Sequence, residues 1–143
     1  MKLYTIGYEG ATMDEFVAAL RSARVERVID VRALPLSRRP GFSKTPLKGA
    51  LAEAGIDYVH LRALGTPAEG RAAARAGQQE RLESIYAAQL DLPEAIVAAE
   101  EMKALAAERP SALLCYERDP GGCHRSLLWK AALAGAEIVD LYP

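Results

Sequence analysis

The chain has 143 residues, 50% of them hydrophobic and 26% charged, with a formal net charge of −1. That length bounds it to one domain with room for a substantial core, and the near-neutral balance excludes polyanion binding by bulk electrostatics, so a nucleic-acid role would have to rest on a local patch. Two cysteines do not make a disulfide framework, no apolar run approaches a membrane span, and the opening MKLYTIGYEG is not a signal peptide; the expectation is a cytoplasmic protein with reduced thiols and no membrane partner.

KLYTIGY (2–8) is short, β-branched and aromatic, and reads as a strand stopped by Gly7. Thr12 and Glu15 have capping-box spacing, and Met13, Phe16, Val17 and Leu20 follow at helical intervals. ERVIDV (26–31) is a second strand. Ser43 or Thr45 caps a helix with Pro46 in its first turn, which Gly55 stops. IDYVHL (56–61) is a third strand and residues 63–70 a loop. One helix is expected from Arg71 to about Gln89 despite Gly77. The next opens at Asp91 with Ile96, Ala99, Met102 and Leu105 or Ala106 on one face, and ends at Pro110. SALLCY (111–116) is the fourth strand, a helix begins near His124, and AEIVDL (136–141) is the last strand. The abundant Ala and Arg are read as base bias in the coding sequence and carry no functional weight. This order predicts a single three-layer α/β domain over residues 1–143, with a mostly parallel five-stranded sheet and helices on both faces. The loops leaving the carboxyl ends of the strands then gather on one edge, where ligands bind near the switch in strand order.

The unusual residues fall in those loops. Both cysteines, one histidine and a Pro-Gly-Gly turn lie in LLCYERDPGGCHRS (113–126). Cys123 stands at the amino end of the His124 helix, where the helix dipole and free N–H groups favour an anion, either a bound phosphate or the thiolate itself. His124 and Arg125 add positive potential. Cys115 is taken as a buried core residue. A Cys115–Cys123 disulfide is disfavoured by a reducing compartment, and the cysteine–histidine spacing matches no zinc pattern, so no metal is expected. Glu117 is the candidate acid or base, and Asp119 a turn former. The stretch Arg32–Lys48 holds Arg32, Arg38, Arg39, Lys44 and Lys48 with no acidic residue. It is a candidate phosphate grip, with Phe42 as a base-stacking ring. Alternation places Asp30 and Arg32 on one strand face, where they can pair.

TIGYEG with the following DEF, VIDVRALPLSRRPGF, IDYVHLRALG and LLCYERDPGGCHRSLL come in the order found in the family catalogued as domain of unknown function 488, which the chain resembles over nearly its full length. Many members have Ser or Asn where Tyr8 and Glu9 stand. The resemblance implies an α/β domain of unestablished activity and groups Arg32, Arg38, Glu117, Arg118, Cys123, His124 and Arg125. It supplies no substrate and no cofactor.

Three functions fit these residues. One is a module that binds a phosphate-bearing ligand, a nucleotide or nucleic acid, through Gly7, Arg32, Arg38, Arg39, Phe42, Arg118 and Arg125. Another is an enzyme on a phosphorylated or nucleoside-like substrate, with Cys123, Glu117 and His124 catalytic. The third is a structural or interaction domain with a buried ion-pair network.

Overall fold

The computed structural model describes residues 2–119 and 124–143. Its elements run β1 (Lys2–Gly7), α1 (Met13–Ser22), β2 (Arg27–Asp30), α2 (Lys44–Glu53), β3 (Asp57–His60), a 3-10 turn (Arg62–Leu64), α3 (Ala68–Arg75), α4 (Gln79–Leu90), α5 (Pro93–Glu108), β4 (Ser111–Cys115), α6 (His124–Ala132) and β5 (Glu137–Leu141). The strands form one sheet in the order β3-β2-β4-β1-β5. Every pairing is parallel, with Tyr4 opposite Ala112 and Val139, and Val28 opposite Tyr58 and Ala112.

Side chains of the central strands alternate between two cores, which makes the sheet the middle layer. Ile6, Val28, Ala112 and Leu114 pack with Phe16 and Leu20 of α1 and with Leu47 and Leu51 of α2. Leu3, Ile29 and Leu113 pack with Tyr86 of α4, Met102 of α5 and Leu128 of α6 on the other face. The expected α/β domain with helices on both faces is what forms, with a sheet that is parallel throughout.

Two helix expectations need correction. The stretch after the third strand is two helices, because the chain turns at Gly77 with φ 71°, a conformation that glycine alone adopts without a Cβ penalty. In α5 the buried stripe is Ala95, Ala98, Met102 and Ala106, while Ile96 points to solvent. The buried face is made mainly of small alanines, so the larger side chain did not mark it. At α1 the capping box forms as expected: Thr12 Oγ accepts from Glu15 N, and Thr12 N donates to Glu15 Oε1.

The connection from β1 runs by α1 to β2 on one face, and that from β4 runs by α6 to β5 on the other. The two strands are neighbours, so the switch point lies between their carboxyl ends. There the backbones nearly touch. A Cβ added at Gly7 would stand 1.7 Å from the carbonyl oxygen of Glu117, and Glu9 N donates to Tyr116 O at 2.8 Å.

Gly7→Ala is therefore expected to destabilise the domain by about 3 kcal/mol, because a main-chain atom must move to admit the methyl group. Gly49→Ala, exposed in α2 with nothing within 4 Å of the new Cβ, should instead stabilise it by about 0.5–1 kcal/mol. Urea unfolding of both variants checks the pair.

Candidate functional site

Loops from the carboxyl ends of four strands, together with α3 and α4, enclose a cleft of about 880 Å³. Tyr8 and Gly10 come from the loop after β1, and residues 32–34 and 36–40 from the loop after β2. Thr66 follows β3, and Cys115, Tyr116 and Glu117 close β4. His124 enters from α6, Arg71, Ala74 and Arg75 from α3, and Leu82 from α4.

The floor is anchored by a buried ion pair. Arg32 Nε and Nη2 donate to Asp30 Oδ1 and Oδ2 at 2.9 and 2.7 Å, and Tyr58 Oη donates to Asp30 Oδ2 at 2.5 Å. Arg32 Nη1 donates to Phe42 O at 2.7 Å and reaches Tyr8 Oη at 3.3 Å. Burial alone would ease the proton off Arg32, but the hydrogen bonds and charge of Asp30 outweigh it and hold the guanidinium cationic. Tyr58 is pushed up by burial and by the same carboxylate. Arg32 lines the cleft, yet most of its donors are spent on the protein, so its part is to fix the loop more than to grip an anion.

Four other cleft arginines differ. Arg38, Arg39, Arg71 and Arg75 take part in no ion pair among the described residues. Arg39 Nε donates to Ala11 O, and Arg71 Nη1 donates to Thr66 O at 2.8 Å; both bonds fix a side chain and neutralise nothing. Arg71 and Arg75 share a face of α3 at a spacing of one turn. They belong to the Ala- and Arg-rich stretch that was given no functional weight. The only sequence signal was that four-residue interval, and it acquires meaning only where the break at Gly77 ends α3.

Several expected site residues stand elsewhere. Phe42 is wholly buried, stacked on Tyr8 at 4.7 Å and edge-on to Phe16 at 5.2 Å, so it offers no face to a ligand. Gly7 and Arg118 do not line the cleft. Gly7 admits the Glu117 carbonyl, and Arg118 Nη1 donates to Pro143 O at 2.5 Å with its guanidinium over the Tyr142 ring. Arg125 is fully buried beneath the β4 loop. Its Nη2 donates to the carbonyls of Glu117 and Arg118 at 2.9 and 3.1 Å, while Nε and Nη1 have no hydrogen-bond partner among the described residues. Cys123 and the turn at 120–122 lie outside the described residues.

His124 does line the cleft, but not as a cation. Burial pulls it down to about 4, against a smaller opposing effect of its hydrogen bond to Val31. The ring is neutral at pH 7, and Nε2, 2.8 Å from the Val31 carbonyl, carries the proton it donates there. Glu117 is displaced the other way: burial raises it, with Arg125 opposing and Glu9 assisting. Cys115 is buried at the end of β4 and disulfide-bonded, against the expectation of reduced thiols. A disulfide sulfur has no proton to give, so its 3.5 Å approach to Glu117 Oε2 is a packing contact. Among the described residues no group of three or more His, Cys, Asp or Glu is placed to hold a metal, and no helix is long and apolar enough to cross a membrane.

The fold and cleft define a doubly wound, parallel α/β domain with a basic crevice at its switch point. The chain belongs to the family described as "Domain of unknown function DUF488", whose profile matches residues 12–132. No curated protein and no solved structure matches it.

Two predictions follow from the buried charges. Asp30→Ala leaves Arg32 buried without its partner and should cost about 3–5 kcal/mol, read by chemical denaturation. His124 binds its proton more readily unfolded than folded, so stability should fall as pH drops from the ordinary value of 6.5 toward about 4. Between pH 7 and pH 5 this group contributes a loss of about 2 kcal/mol. Unfolding curves of His124→Gln at the two pH values should lack that share of the acid loss.

Proposed function

We propose that the protein binds a phosphate-bearing ligand in the cleft at the carboxyl edge of the sheet. The observation that carries this reading is the set of four arginines, Arg38, Arg39, Arg71 and Arg75, lining one cleft without a carboxylate partner among the described residues. Among the described residues Glu117 is the one acidic residue lining the cleft, and burial favours its neutral form. Cations gathered in one cleft repel each other, and a bound anion relieves that repulsion. Arginine suits phosphate because its planar fork meets two oxygens at once. A chain of net charge −1 that concentrates unpaired arginines in one crevice has a local anion field its overall charge conceals.

A second reading, an enzyme acting on a phosphorylated substrate, is favoured by one observation. Glu117 lines the cleft with its carboxyl pushed up by burial, the condition that suits a carboxyl group for proton transfer near neutral pH. Binding is common to both readings, and turnover separates them.

Thermal unfolding at constant ionic strength tests the binding. Pyrophosphate should raise Tm by several degrees relative to chloride. The variant Arg71→Ala/Arg75→Ala should lose most of that rise, and without ligand it should be as stable as the parent or more so, because a source of repulsion has gone. An unchanged Tm across phosphate, pyrophosphate and nucleotides would refute the reading.

A further inference from the structure

Resting on that reading, we infer that the ligand is a nucleotide, and that Tyr116 is the platform on which its base sits. Seven large apolar or aromatic side chains are exposed among the described residues, and three of them, Leu34, Leu36 and Tyr116, line the arginine cleft. Their exposures are 51%, 70% and 48%. A site for bare phosphate gains nothing from such surface. Apolar side chains kept in water beside a polar site mark a ligand with an apolar face of its own.

Tyr116 is the outer end of a column of rings. Phe16 meets Phe42 edge-on at 5.2 Å, Phe42 stacks on Tyr8 at 4.7 Å with 7° between planes, and Tyr8 meets Tyr116 edge-on at 5.4 Å and 77°. The first three rings are buried and the last is half exposed. The column carries core rigidity out to the cleft, so a base that stacks on Tyr116 meets a ring already oriented and pays little ordering entropy. Phe42, the ring whose type suggested stacking, thus serves indirectly as a support two rings inward.

Size points the same way. A volume of about 880 Å³ is far more than a phosphate ion fills, and it lies within the range of pockets for small molecules and cofactors, roughly 300–1,000 Å³. Glu117 follows Tyr116 directly and also lines the cleft. Its carboxyl oxygens can accept hydrogen bonds from the amino edge of a base.

Isothermal titration of the full chain with ribose 5-phosphate and adenosine monophosphate tests this. The nucleotide should bind at least about fivefold tighter, the lower end of what stacking one base contributes. Tyr116→Ala should abolish that advantage while leaving ribose 5-phosphate affinity within about twofold, and Tyr116→Phe should keep it. Because Tyr116 is half exposed, an unchanged urea midpoint will certify the fold of both variants. Equal affinity of the parent for the two ligands would overturn the inference and leave phosphate binding standing. Binding of neither would overturn both. A nucleotide advantage that survives Tyr116→Ala would remove the platform, and a single-stranded oligonucleotide binding more than about 100-fold tighter than the mononucleotide would replace the mononucleotide with a strand.

Discussion

The buried pair between Asp30 and Arg32 is the constraint on which the site depends. Asp30 ends β2 and Arg32 opens the loop that carries Arg38 and Arg39, so the pair joins sheet to loop at the root. One carboxylate takes three side-chain donors and the backbone N–H of Arg32. One guanidinium reaches across to the carbonyl of Phe42, near the far end of the same loop. A long loop without regular structure ordinarily wanders. This one is closed on itself by a bond from its first residues to its last, and Ser37 and Ser43 exchange hydrogen bonds inside it. The desolvation of two charges is the cost, and it is offset only because nearly every donor and acceptor is matched.

The arginines therefore divide by what answers their charge. Arg32 is answered by a carboxylate and becomes scaffold. Arg125 is buried with carbonyl oxygens as its hydrogen-bond partners among the described residues, and its grip on Glu117 and Arg118 holds the β4 loop where it passes Gly7. Burial lowers its hold on the proton, with Asp140 and Glu117 opposing. Arg38, Arg39, Arg71 and Arg75 meet at most backbone carbonyls and no carboxylate among the described residues, which leaves their charge unneutralised. Residue type is the same in all three cases, and burial and partners make the difference.

That division explains how far the sequence could be read. The strands and most helices were legible because β-branched apolar runs and helical spacing are local, and the meeting of four loops followed from parallel order alone. Asp30 and Arg32 were legible as a pair from their two-residue spacing, and the pair forms although Arg32 lies just beyond β2. The fate of Phe42 was not, since an aromatic ring beside glycine in a basic loop looks alike whether it turns outward or inward; Tyr8 and Phe16, distant in sequence, decide it. His124 looked like a cation for the same reason, because its burial and its bond to the Val31 carbonyl are tertiary facts. Arg71 and Arg75 are hidden in plain composition, and the composition that suggests reduced thiols says nothing of the disulfide at Cys115.

The strand order has a bearing on synthesis as well as on binding. β1 is the first strand of this sheet to be synthesised, yet its neighbours are β4 and β5, with Tyr4 beside Ala112 and Val139. Until the final third of the chain emerges, β1 has no edge to join, while β2 and β3, linked through α2, can already pair. Such distant pairings are slow to close. A nascent chain thus carries an apolar, β-prone segment unpartnered for most of its translation, a template for the wrong strand that chaperones or speed must guard. The residues that complete the cleft, Tyr8 on one side and Tyr116 on the other, come together only in that last step, so a binding-competent cleft is itself a sign that the chain has finished folding.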